Sequence, residues 1–585
     1  MLLASPDLET LTATAWDVTV IGAGPVGLNL ACALADKGQR VLVLESGEKG
    51  PTDAAQDLAA DALHTPDTHY TPEITVARRL GGASNLWGGR CVPFDGIDFA
   101  PRPWIEDLPD WPVTETDLAP YLAPACAALG AGEAVFHDPV PGLDANPPGF
   151  ETDRLERWTN QPRAQVVHQD RIETDPKLVV ALGVTVTGMD HGAEEGVTAL
   201  HLWSPGWPAR SETPTLPVRQ VVLAAGGNAS TRLLLALQAE TPALFGGPDG
   251  PLGRYYMGHV NGQIADIVFE NDALHDAMNF YVDAHGSYVR RRITPTEATQ
   301  KDHALANVAF WPVVPEISQA EHRSGPLSAV FLALSLPGLG SRLIAEPIRL
   351  KHMGPKPWTR GPHLRNVLGD LLRTASFVPW FLWNRHVARH RIPGFFLENP
   401  GKRYGLEFHS EHLPGAESRL TLSEARDASG LRRLEIDFRF SERDVETVLR
   451  AHDALDAALT ASGLGRLVYR YEGAARAEGV LVEARHGNHQ VGTIRMGSDP
   501  RHAVVDGWGT SFDLPNLHVA STAILPTSSQ ANPTLAALQL GLRLVDKLTE
   551  QTPAVGAPGP GTAREARPEA APETAPEAAP ETSHA

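Results

Sequence analysis

Hydrophobic positions along the chain follow three distinct patterns. Residues 17–21 (DVTVI) and 40–44 (RVLVL) are short, mostly aliphatic runs, the pattern of strands buried on both faces. Between them a helical stretch reaches Lys37, with Gly38 as its stop, so the three segments predict one βαβ unit. Residues 221–225 (VVLAA) and 516–520 (NLHVA) repeat the buried-strand pattern, the second ahead of a helix expected over 533–548. Alternation takes over at 177–187, 259–269 and 431–440, the pattern of half-buried strands, and 444–461 has a helical period. Strand-and-helix blocks thus occur at both ends of the chain, with alternating strands in the middle. The expected fold is α/β: a discontinuous Rossmann-like dinucleotide-binding lobe (14–110, 163–258 and 484–549) with an inserted α+β substrate lobe (111–162 and 259–483) on an antiparallel sheet. Residues 551–585 run through Pro, Ala, Glu and Thr with few large apolar side chains, which predicts a disordered tail.

Composition narrows the function classes. The 585 residues carry 50 Lys+Arg against 70 Asp+Glu, a net charge of −20, which argues against a nucleic-acid partner. Three cysteines, Cys32, Cys91 and Cys126, make neither a disulfide framework nor a CxxC pair, so neither a disulfide scaffold nor a metal site is expected. No apolar run approaches the ~20 residues of a membrane span. The first residues, MLLASPDLETLTATAWD, place acids where a secretory leader is basic; the expectation is a cytoplasmic protein.

Candidate chemistry begins at Gly22-Ala23-Gly24-Pro25-Val26-Gly27, a GxGxxG directly after a strand and opening a helix. Its glycines serve a tight turn, close approach of a pyrophosphate, and helix–strand packing. Glu45 stands 21 residues past Gly24, at a strand end where a carboxylate accepts from ribose hydroxyls. No second such loop follows, so one dinucleotide is expected, FAD or NAD. Residues 80–90 (LGGASNLWGGR) set four glycines around Trp87 and end in Arg90, a loop suited to lie against a flat ligand. His489 opens HQVGTIRMG, and Asn532 precedes Pro533 and Thr534 at a helix start, where asparagine is a natural cap.

Taken in order, VIGAGPVG…LES, LGGASNLWGG, Asp110-Trp-Pro with Asp117-Leu-Ala-Pro-Tyr121, VVLAAGGNASTRLLL, HQVGTIRMG and LHVASTAILPTSSQANPTL resemble the glucose–methanol–choline (GMC) flavin oxidoreductase family. The resemblance spans roughly 16–260 and 480–548. The WGG loop and the ANPTL ending are most similar to its sugar-oxidising branch of pyranose and bacterial glycoside oxidases. It implies FAD and oxidation of an alcohol to a carbonyl, with His489 as catalytic histidine and Asn532 as its partner. It further implies that Gly22, Gly24, Gly27 and Glu45 hold the ADP half of FAD. Gly82, Ser84, Asn85, Trp87 and Gly88 would lie near the flavin, and Val186 and Gly226 around the adenine. Ser521, Pro533 and Thr534 would complete the flavin site, although Ser521 stands where an aspartate is frequent. Leu86 occupies the position at which pyranose oxidases carry a flavin-linked histidine, which implies noncovalent FAD.

For substrate, the resemblance points to Glu411 and His412 in FHSEHLP, together with Arg90, as contacts of a carbohydrate or polyol. Oxygen, a quinone or a redox protein would take the electrons, and oligomerisation is open. A flavin-dependent lyase and a flavoprotein assembly partner without turnover are the competing functions. Residues 342–391 stand apart, with ten Lys/Arg, two acids and five Trp or Phe. Pro379 is expected to break any helix there. A packed insertion leads over a lid, a docking face for an acidic partner and an interfacial membrane contact.

Overall fold

The computed structural model describes residues 1–207, 213–344, 346–353, 356–399, 401–485 and 487–550; the tail expected to be disordered, 551–585, lies outside the described residues. Its first lobe is a six-stranded sheet in the order Leu2–Ala4, Leu178–Leu182, Val41–Glu45, Val18–Ile21, Gln220–Leu223 and Leu517–Val519, parallel throughout. Valine and leucine dominate these strands, and both faces are covered: Val18, Val20, Val41 and Val43 pack on one side, Leu42, Leu44, Val221 and Leu223 on the other. Strand Val18–Ile21 has its next strand in sequence on one flank and a distant one on the other. That reversal opens a crevice at the carboxyl edge, where doubly wound sheets bind ligands.

Three details depart from the sequence reading. Residues 177–187 form two strands of different sheets, Leu178–Leu182 and Thr185–Gly192, and all five residues of the first are buried, because it lies inside the parallel sheet. Leu2–Ala4 adds a strand ahead of the expected start of this lobe. Leu63–His64 and Arg90–Cys91 leave the first lobe's segment to join sheets of the second.

The second lobe is built on a sheet running Gly465–Tyr469, His259–Phe269, Arg403–Glu411, Val308–Val313, Tyr288–Pro295, Phe150–Trp158 and Arg90–Cys91, antiparallel along its length. Alternation gives it two unlike faces. One carries Val260, Ile293, Phe310, Leu406 and Phe408 and packs on helix Glu442–Ser462 through Val448, Leu455 and Leu459. Ser441 and Asp444 cap that helix reciprocally. The opposite face carries Arg90, Glu156, Arg290, Trp311, Glu407, His409 and His259, and every one but Arg90 is buried. A sheet face that is both buried and charged is where a site is to be sought.

Candidate active site

Gly22 follows the first buried strand at φ +108°, and a Cβ there would strike Ala224, so only glycine fits this turn. A Cβ at Gly27 would overlap the Gly22 carbonyl oxygen, which sets how closely helix Pro25–Asp36 packs on its strand. At Gly24 and Gly226 the geometry is opposite: a Cβ would meet nothing nearer than 4.0 Å at the first and nothing within 4 Å at the second. These two open backbones, at the starts of helices Pro25–Asp36 and Gly227–Glu240, form a cradle suited to the phosphates of FAD. Glu45 is buried and accepts the N–H groups of Ala23 (3.0 Å) and Gly47 (2.9 Å), which fastens it across the turn. Its pKa is raised by burial against the pull of those two amides. One lone pair on each oxygen remains for a ribose diol, and the residues present therefore fit the dinucleotide.

The glycine-rich loop crosses this cradle. Gly82 lies against the Cα of Gly24, Ser84 accepts the N–H of Ala164 (3.1 Å), Asn85 accepts from Gln165 (2.8 Å), and the Trp87 indole donates to the Pro162 carbonyl (2.6 Å). Gly88 has open space around its Cα. Val186 is buried in strand Thr185–Gly192. Ser521 accepts the N–H of Ala523 (3.1 Å) and so caps a short helical turn.

His489 and Asn532 meet at the end of the polar sheet face. The Asn532 amide nitrogen stands 3.1 Å from His489 Nε2, so Asn532 does not cap the helix that follows. That helix, Thr534–Glu550, begins instead with Ala537 N–H donating to the Pro533 carbonyl. The other imidazole nitrogen, His489 Nδ1, lies 2.7 Å from Nδ1 of His259, and His259 Nε2 lies 3.2 Å from the Ser528 carbonyl oxygen. A carbonyl only accepts, so His259 carries its hydrogen on Nε2. Its Nδ1 must then accept, His489 must donate from Nδ1, and the lone pair of His489 is on Nε2. Both rings are held neutral: burial and then Arg90 lower the pKa of His489 to about 3, and burial, His409 and His489 push His259 well below the ordinary value. His259 stacks on His409 at 4.2 Å, and His409 Nδ1 donates to the Gln530 carbonyl at 2.5 Å. The nitrogens of His259, His409 and His489 lie close enough together to hold a metal ion.

The loop supplying those carbonyls is itself clamped. Ser529 donates to Asp98 (2.6 Å), Gln530 donates to Asp95 (2.8 Å), and Gln530 accepts from Arg292 (2.7 Å). Burial, then Asp95 and Glu411, raise Asp98 to about 7. Arg90 and Arg290 share Glu156 and both lie over Trp311, at 4.2 and 5.0 Å. Arg90 Nη2, Asn261 Oδ1 and Asn532 Oδ1 are buried without a hydrogen-bond partner among the described residues, three polar atoms that a polyhydroxylated ligand would satisfy.

Glu411 and His412 are corrected by the structure. Glu411 makes a two-point ion pair with Arg102 (2.5 and 2.9 Å) and accepts the N–H of Asn307 (3.1 Å). His412 accepts the N–H of Gly258 (3.1 Å) and donates to the Arg439 carbonyl (2.9 Å). Both are fully buried and committed to the protein itself. His259 and His409 are the site residues that the motifs in the sequence do not single out. Their signal was a polar residue at every second position of HVNGQI (259–264) and of LEFH (406–409), an alternation that a strand with one face in water shares.

Comparison with known proteins bears on the same regions. A family model described as GMC oxidoreductase matches residues 414–541. The chain is 23% identical to 2-methyl-1,2-propanediol dehydrogenase of Mycolicibacterium austroafricanum over 615 aligned residues, covering 93% of this chain and 96% of that one. It is 24% identical to 6'''-hydroxyparomomycin C oxidase of Streptomyces lividus, covering 90% of each. Among solved structures, an FAD-dependent oxidoreductase from Chaetomium thermophilum superposes with a TM-score of 0.50 at 14% identity, over 92% of this chain and 99% of that one, a likeness of fold.

Proposed function

We propose, from the GMC oxidoreductase domain matched at residues 414–541 and the likeness over most of the chain to a diol dehydrogenase and a hydroxyparomomycin oxidase, that the protein oxidises a secondary or primary hydroxyl of a sugar, glycoside or polyol, with His489 as base. The observation that carries this reading is the hydrogen-bonded chain Asn532–His489–His259–Ser528, from which the tautomer of His489 follows. Its unprotonated Nε2 accepts from the Asn532 amide, and its Nδ1–H is held by His259. Bound FAD supplies the acceptor of the hydride.

The chain's own residues supply the rest. His489 Nε2 receives the hydroxyl proton, a task for a neutral imidazole, and burial keeps the ring neutral. A substrate hydroxyl entering between His489 and Asn532 would take over the amide hydrogen now given to Nε2. That amide then steadies the oxygen as it gains charge. His259 and the Ser528 carbonyl keep the imidazole from turning, so the reacting carbon is presented in one orientation. Gly22, Gly24, Gly27, Glu45 and Gly226 would hold the ADP half of FAD, and the 82–88 loop with Thr534 the flavin side. Arg90, Asn261 and Trp311 are the residues we assign to substrate in place of Glu411 and His412. These two relatives act, by their names, on hydroxylated compounds, a propanediol and a hydroxyparomomycin.

The test is anaerobic mixing of the flavin-loaded protein with a panel of sugars, glycosides and polyols while the flavin absorbance is followed. A substrate should bleach it, and His489→Ala should slow bleaching by about 10²-fold or more while flavin stays bound. Equal rates in variant and parent remove His489 from the reaction. Turnover of a substrate without any bleaching would favour a lyase.

A further inference from the structure

Helices Gly361–Gly369 and Leu371–His386 have a surface unlike the rest of the molecule. In a chain of net charge −20, residues 342–391 hold ten basic and two acidic residues, a local surplus of eight positive charges (ten minus two). The same helices leave large apolar side chains in solvent: Leu372 is 88% exposed, Leu368 73%, Trp383 61% and Trp380 49%, with Leu364, Leu371 and Val387 exposed beside them. Single exposed leucines are ordinary; a cluster holding two tryptophans is not.

The arrangement is ordered. Thr374 and Phe377 are the buried residues of helix Leu371–His386, and Phe377 packs on Phe381 and Phe395. At 100° per residue, Leu372, Trp380, Trp383 and the following Val387 fall within about a quarter of the helix circumference. Pro379 lies inside this helix rather than ending it. It sits on the exposed side, where water can satisfy the carbonyl that proline leaves unbonded. Arg365, Arg373 and Arg389 are exposed on the same two helices and the turn that follows. An ordinary packed insertion would have buried these tryptophans, and the structure does not.

Charge decides among occupants. A second copy of the chain would set the exposed Arg365, Arg373 and Arg389 of one molecule against those of another. No described helix is long and apolar enough to cross a membrane, so a contact with lipid would be interfacial. Tryptophan and leucine on one side with arginine beside them is the composition that seats helices in the headgroup layer of anionic bilayers. We propose that these two helices dock the protein on an anionic phospholipid surface, with Trp380, Trp383 and Leu372 in the headgroup layer and Arg365, Arg373 and Arg389 against lipid phosphates. The docking face adjoins the substrate lobe. A cavity of about 220 Å³ lies between Trp380, Phe395 and Phe280, Phe280 packs edge-on against Trp158, and Trp158 pairs with Arg90 in the sheet. A docked molecule would hold the outer edge of the candidate site next to the bilayer.

The experiment is co-sedimentation of the flavin-loaded, full-length protein with vesicles of phosphatidylcholine alone or with about 30% phosphatidylglycerol, at low and high salt. The protein should pellet with the anionic vesicles only, and less so at high salt. Leu372→Ser/Trp380→Ser/Trp383→Ser and Arg365→Glu/Arg373→Glu/Arg389→Glu should each weaken binding at least about 10-fold, with unchanged circular dichroism. Quenching of tryptophan fluorescence by brominated lipid, present in the parent and lost in Trp380→Phe/Trp383→Phe, would place those two rings in the bilayer without relying on a disruptive variant. The proposal is overturned if anionic vesicles leave the protein in the supernatant, if the variants bind like the parent, or if the triple-serine change alters only oligomeric state. Each readout is independent of whether a substrate bleaches the flavin.

Discussion

His489 draws its chemistry from its neighbours rather than from its own residue type. An exposed imidazole titrates near ~6.5, whereas burial and Arg90 hold this one at about 3. It is therefore unprotonated across the pH range in which the protein would be assayed, and flavin reduction should show no loss of rate on passing from about pH 8 to about pH 6. A titration limb near 6.5 that vanishes in His489→Ala would contradict the assignment of a buried neutral base. His259 acts through His489 and is a positioning residue. His259→Phe should lower the bleaching rate with little change in the substrate concentration giving half-maximal rate, while His259→Gln, which can still accept at the same place, should recover part of it. Glu411 calls for the opposite experiment. Glu411→Ala leaves Arg102 buried and unpaired, so it should cost about 3–5 kcal/mol of stability in a denaturant titration. A variant of full stability with only weakened substrate binding would return Glu411 to the substrate site.

At the scale of elements, helix Glu442–Ser462 and the sheet it covers decide where the site can be. The helix packs, with helix Ala475–Glu483, on the apolar face of the sheet, leaving the polar set to the other. The capping box at Ser441 and Asp444 fixes where the helix begins, and Ser441→Ala should destabilise this lobe by about 1 kcal/mol without altering flavin content. A change that also released flavin would mean that the two lobes are not separable in this respect. Helix Thr534–Glu550 shows the limit of local rules. Asn-Pro at a helix start predicts a cap, yet the asparagine side chain turns to a histidine 43 residues earlier in the chain, an interaction that no local pattern encodes. Alternation in 431–440 and 259–269 was readable, because a period of two survives whatever the strands pair with. Which residues faced the site was not, since a polar position looks the same in sequence whether it meets water or a buried ligand.

For the whole molecule, the buried histidines make acid the weak point. His69, His489 and His518 have pKa values lowered to about 3, and His322 and His452 to about 4, by burial first in every case. Once unfolded they would bind protons at ~6.5. Between these limits the unfolded chain holds more protons than the folded one, so stability falls as the pH drops. Asp98, raised to about 7 mainly by burial, and Glu45, also raised, act in the opposite sense but are fewer. Thermal midpoints should decline from about pH 7 to about pH 5, and a flat profile would show that these histidines are not buried as described. The sequence by itself determined the turn at Gly22, the two packed strands around it and the helix between them that Gly38 stops. These depend on residues within one or two turns of each other and on steric limits that any fold must respect. Only the tertiary structure decided that Glu411 is spent on Arg102, that His259 orients His489, and that Trp380 and Trp383 face outward. Each of those outcomes depends on which distant segment fills the space alongside, and burial, the quantity that sets both charge state and exposure, belongs to the packed molecule and not to any stretch of its chain.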